Sequence, residues 1–144
     1  MIQRIQTIFY LLAAGSFGSL FHFPFASTAT ASTDVFSDKL YNVFDNPVLM
    51  VMAGLGALLG LVALLLFKNR SLQLKLGNVL IILSVFIPIV AVLLFMNQKD
   101  QINTDLIDDQ AGIYIPVVSL IFAFLANRFV KKDEKTVRSM DRLR

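Results

Sequence analysis

The sequence predicts an all-α integral membrane protein, a four-helix bundle with both termini in the cytoplasm. Three observations carry that prediction. Hydrophobic residues make up 56% of the 144-residue chain and charged ones 16%, against roughly 45–50% and 25% in an ordinary soluble protein. Four stretches hold no Asp, Glu, Lys or Arg: Ile5–Thr33, Asn46–Phe67, Leu76–Gln98 and Gln110–Asn127. A hydrocarbon core of about 30 Å takes roughly 20 apolar helical residues to cross, so each run is of spanning length. Finally, the basic residues fall on one side of the membrane if the amino terminus is inside.

The spans are expected at about residues 5–25, 47–67, 76–96 and 113–130, followed by a basic helical tail over 131–144. Span one also has the look of a secretory signal, with "ATA" at Ala29–Ala31 resembling a cleavage site. Its apolar region is longer than a signal's 7–15 residues and only Arg4 precedes it, which favours a retained helix. Span two opens on "DNPVLM", where Asp45 or Asn46 can cap and Pro47 suits the first helical position, its missing N–H costing nothing there. Span three contains Pro88, which removes a backbone bond and should kink the helix. Span four has Pro116 in its first turn.

Orientation follows from the distribution of Lys and Arg. Eleven of the thirteen (Arg4, then Lys68, Arg70 and Lys75, then the seven from Arg128 to Arg144) share one side, and seven of the ten acids lie on the other. The outer loop 26–46 allows either a short helix through Phe36, Leu40 and Val43 or Phe44, or a small hairpin. The second outer loop, "NQKDQINTDLIDDQAG", is polar and acidic and is expected to be exposed.

Several chemistries are disfavoured. Cysteine is absent and His22 is the single histidine, so no thiolate nucleophile, Cys-based metal site or His-paired ligand set is possible. The spans hold no ionisable residue at membrane depth, where ion-coupled transporters and proton pumps keep one. His22, among the aromatics of "FHFPF", reads as an interfacial anchor. Asp105, Asp108 and Asp109 lack the spacing of a calcium loop and read as solvated charge. No residue nominates itself as catalytic, and no cofactor or metal is expected.

Two features remain as candidates. Span two carries the small residues Ala53, Gly56, Ala57 and Gly60, a GxxxG pair within a stripe; span one has Ala14 with Gly18 and Gly15 with Ser19. Small residues let helix backbones approach closely in lipid, so the stripe packs spans one and two together or meets a partner subunit. The second feature is a cytoplasmic basic face of Arg4, Lys68, Arg70, Arg128, Lys131, Lys132, Arg138, Arg142 and Arg144. In the tail, Glu134 with Arg138 and Arg138 with Asp141 are favourable helical pairs. The interleaved acids and the lack of glycine make it a poor nucleic-acid arm.

"MIQRIQT" at the start, "FKNRSLQLKL" in the inner loop and "LANRFVKKDEKTVRSMDRLR" at the end together resemble the family catalogued as domain of unknown function 4293, small four-span proteins of the Bacteroidota. The resemblance implies an inner-membrane protein with span one retained, and no assigned activity. The expected function is a non-enzymatic accessory or assembly subunit of a larger inner-membrane complex, meeting membrane lipids and other membrane subunits. The alternatives are a small transporter or channel for an apolar or lipid-like solute and, less favoured, a membrane-bound enzyme.

Overall fold

A computed structural model describes residues 3–28, 38–98 and 107–141. Four helices dominate: α1 (Gln3–Ser19), α2 (Pro47–Leu65), α3 (Arg70–Gln98) and α4 (Ile115–Asp141). Helix α1 packs on α2 and α4, and α3 packs on the same two, so the helices close a ring. Among the described residues three segments are long and apolar enough to cross a membrane: Pro47–Leu65, Arg70–Asn97 and Ala111–Val137. This is a membrane protein. Helix α1, at 17 residues, is about 26 Å long at 1.5 Å per residue.

The packing inverts the pattern of a soluble bundle. Leu58 and Leu65 on α2, Phe86 and Leu93 on α3 and Phe124 on α4 point outward, exposed. The interior takes small side chains beside a few large ones, with Ala13, Ala53, Ala63, Ala123 and Ala126 buried alongside Tyr10, Phe17, Leu80 and Ile87. Hydrocarbon outside is as apolar as the interior, so close backbone approach rather than water exclusion holds the helices.

Local sequence marks several helix ends. The Asn46 side chain accepts from the Val48 N–H at 2.9 Å and Pro47 takes the first position of α2, as the "DNPVLM" signal predicts. Pro116 sits near the start of α4 and Pro88 inside α3, which continues through it. Helix α1 stops at Ser19, well before Phe25: tight turns carry the chain through Leu20, Phe21 and His22. Pro24 bars the helix from resuming beyond this turn, because it has no N–H and disfavours the helical region for the preceding Phe23.

The outer loops form a three-stranded antiparallel sheet. Strand β1 (Ala26–Thr28) lies between β2 (Leu40–Tyr41) and β3 (Ile107–Asp109). Within 26–46 the described residues thus give short strands, followed by a 3-10 turn at Val43–Asp45; Phe36 lies outside them. The acidic second loop does expose Asp108 and Asp109, but it also supplies β3. Neither loop alone carries a hairpin of stable length, and the third strand comes from a segment some eighty residues away. Backbone bonds from Gly112 N–H to Pro24 C=O and from Gln110 N–H to Phe25 C=O extend the seam.

Candidate functional site

One end of the bundle, the end that carries the basic residues, holds a buried polar layer touching all four helices. Tyr10 of α1 donates its O–H to Asn127 Oδ1 of α4 at 2.8 Å and lies 3.1 Å from the backbone carbonyl of Gln73 on α3. The Gln73 amide Nε2 donates to the Ala63 carbonyl at the end of α2 at 3.1 Å. Asn127 in turn donates from Nδ2 to Asn78 Oδ1 at 2.8 Å. Gly77 makes the layer possible: a Cβ there would stand 1.9 Å from Asn127 Oδ1 and 2.6 Å from the Tyr10 hydroxyl. Two buried amide atoms, Gln6 Nε2 and Gln73 Oε1, have no partner among the described residues, and each is a position a buried water can satisfy.

Below this layer Arg70, at the start of α3, pairs with Asp133 of α4 at 3.1 Å, their side chains 23% and 10% exposed. A carboxylate this buried needs a partner, and the pair fastens the extended part of α4 to the bundle. Farther round α4, Arg128, Lys131, Lys132 and Lys135 line an open groove of about 470 Å3 against Asn78 and Ile81 of α3.

The opposite end holds a smaller hollow of about 220 Å3 under the sheet, lined by Phe25, Tyr41, Pro88, Ala91 and Phe95 among others. The Tyr41 hydroxyl donates to the Ala91 carbonyl at 3.1 Å. Burial first, and the nearby Asp45 second, push its phenol up to about 12. Between the two ends the interior is filled by Leu80, Ser84, Ile87, Ser119 and Ala123, and the Ser84 and Ser119 hydroxyls meet at 3.3 Å.

The residues singled out in the sequence separate into distinct places. The α2 stripe faces α1: a Cβ on Gly56 would strike the Phe17 ring at 2.4 Å, and one on Gly60 would strike Ala14 at 2.8 Å. Ala53 is fully buried and Ala57 half-buried. On α1 the small residues Gly15 and Gly18 are exposed, with open space where a Cβ would stand. Of the basic face, Arg128, Lys131 and Lys132 come together in the groove, Lys68 is exposed away from it, and Arg70 is engaged by Asp133. Arg4 and Arg138 lie in α1 and α4 with side chains outside the described set; Arg142, Arg144 and Asp105 lie outside the described residues. His22 meets Phe23 edge-on at 5.4 Å. Among the described residues no three of His, Asp or Glu gather as a metal site would need.

Sequence reasoning passed over Gln6, Tyr10 and Gln73, and left Lys135 out of the basic face. A signal was present: Gln6 to Tyr10 and Gln73 to Gly77 are each one helical turn, and Arg128, Lys131, Lys132 and Lys135 follow one helix face. A family model described as a domain of unknown function (DUF4293) matches residues 2–143. No curated protein and no solved structure matches the chain.

Proposed function

Since the chain belongs to this family, whose description assigns no activity, we propose from its architecture that it is a non-catalytic accessory or assembly subunit of a larger complex in a bacterial inner membrane. On this reading α1 is retained and crosses the membrane with the other three helices. Its turn at Leu20–Phe23 and His22 reach the outer interface, and both termini are cytoplasmic. Full burial of Tyr10, Phe17 and Leu20 supports retention, because α1 supplies a quarter of the helical ring.

The observation that carries the proposal is which small residues remain uncovered. The α2 stripe is consumed inside the chain, whereas Gly15 and Gly18 of α1 stay open, continuing the exposed face of Ile8, Leu11 and Leu12. An apolar helix face interrupted by two glycines is the shape another membrane helix packs against. The cytoplasmic face, from Arg4 and Lys68 to the tail, orients the subunit toward its partner. The filled interior at Leu80, Ser84 and Ile87 favours this reading over a conduit for an apolar solute.

Gentle extraction from native membranes with measurement of native size tests it. The expected result is a complex larger than the lone chain. Gly15→Leu with Gly18→Leu should release the partner while helicity and melting stay as in the parent chain. A monomer with no co-purifying protein overturns the reading.

A further inference from the structure

The groove between α3 and α4 changes character with depth. Ile81 and the exposed Phe124 line it on the membrane side, Asn78 and Asn127 at the boundary, and Arg128, Lys131, Lys132 and Lys135 beyond. All four cations are exposed. The two described α4 carboxylates stay out of it: Asp133 is turned to Arg70, and Glu134 is not part of the lining. The Asn78 amide nitrogen, with two N–H donors, makes no hydrogen bond among the described residues, since Asn78 only accepts, from Asn127.

We infer that this groove binds an anionic phospholipid of the cytoplasmic leaflet, its phosphate held by the four cations and Asn78 and an acyl chain lying along Phe124 and Ile81. Charge alone does not require this, because positive-inside residues serve orientation wherever they fall. What singles out the groove is convergence. Lys68 and Lys75, also exposed, stand outside it, while the four α4 cations face one cavity whose membrane side is apolar. An amphiphile matches both ends of that gradient; a free phosphate would use only one. Basic pockets beside membrane helices on the cytoplasmic side are where such headgroups bind, and about 470 Å3 falls within the roughly 300–1,000 Å3 of ligand sites. The inference rests on the membrane-inserted, basic-side-inward part of the reading above and needs no protein partner. It assigns these four cations to lipid and leaves Lys68 and the end of the tail for protein.

The test uses the full chain, purified and stripped of lipid, in mixed micelles of phosphatidylglycerol or phosphatidylcholine, with retained lipid read by native mass spectrometry. Phosphatidylglycerol should be retained in preference, and excess inorganic phosphate should not displace it. Lys131→Gln and Lys132→Gln should each weaken retention about fivefold, and Lys75→Gln by less than about twofold. Phe124→Ala should weaken retention of long-chain more than of short-chain phosphatidylglycerol. Equal retention of the two lipids, displacement by inorganic phosphate, or an equal loss with Lys75→Gln each overturns the assignment. If a lysine variant unfolds, the lipid preference and phosphate competition of the unaltered chain decide the matter. A chain that prefers phosphatidylglycerol yet is monomeric in native membranes sinks the accessory reading alone; a complex without lipid preference sinks this one alone.

Discussion

At Gly77 a single hydrogen atom stands where a side chain would break the polar layer. The polar layer needs Asn127 and Tyr10 to lie against the α3 backbone, and a methyl group at 1.9 Å from Asn127 Oδ1 cannot coexist with that arrangement. Two costs compete in a Gly77→Ala variant. An interhelical hydrogen bond in a membrane protein is worth on average about 0.6 kcal/mol, whereas overpacking a tight core costs about 1–3 kcal/mol. Steric displacement dominates. Gly77→Ala should therefore destabilise by about 2–3 kcal/mol, more than Tyr10→Phe at about 1 kcal/mol, in thermal melts in detergent. Gly15→Ala, with nothing within 4 Å of the added Cβ, should be neutral or slightly stabilising through better helix propensity. If Tyr10→Phe proves the more damaging, the hydrogen bonds rather than close approach hold this layer.

At the scale of elements, the Arg70–Asp133 pair decides whether the last turns of α4 behave as part of the bundle. Arg70 lies beyond the apolar stretch of α3 and Asp133 beyond that of α4, so two helices longer than their apolar runs are joined where they leave it. Removing one partner of a buried pair costs about 3–5 kcal/mol because the other charge is stranded. Arg70 is nearly a quarter exposed, and solvent reduces that to about 1–2 kcal/mol. Arg70→Gln alone should lower the melting temperature and open the chain near Lys131–Lys135 to protease. Adding Asp133→Asn should recover most of the loss, which melts of both single variants and the double variant would measure. Equal instability of the double variant and Arg70→Gln would mean that the pair is not what fastens α4.

For the whole molecule, orientation is the prediction on which the lipid inference depends, and the absence of cysteine makes it testable without background. Single cysteines replacing the exposed Asp108 in β3 and the exposed Ser139 in α4 should label differently with a membrane-impermeant thiol reagent. Asp108→Cys should react in intact spheroplasts and Ser139→Cys only after lysis. The opposite pattern would reverse the charge argument and remove the cytoplasmic leaflet from the lipid inference. The lipid site lies on α3 and α4 and the open glycine face on α1, so variants at Gly15 and Gly18 should leave lipid retention intact.

The sequence by itself determined that this is an apolar, helical membrane protein, which side of it is basic, and where caps and prolines begin its helices. Those properties reside in composition and in signals a few residues long, such as Asn46 with Pro47 and the run Arg128, Lys131, Lys132, Lys135. Tertiary structure decided the pairings. Whether Gly56 and Gly60 met α1 or another chain, whether Arg70 was free or held by Asp133, and which strand completed the sheet begun at Ala26 all depend on residues distant in sequence. Tyr10 reads as one more aromatic in an apolar run until α3 and α4 bring Gln73, Gly77 and Asn127 to its hydroxyl. Local patterns fix what a helix is and how it sits in lipid. Its neighbours are fixed by shape and by a few polar atoms, because hydrocarbon gives little reason to bury one apolar face over another.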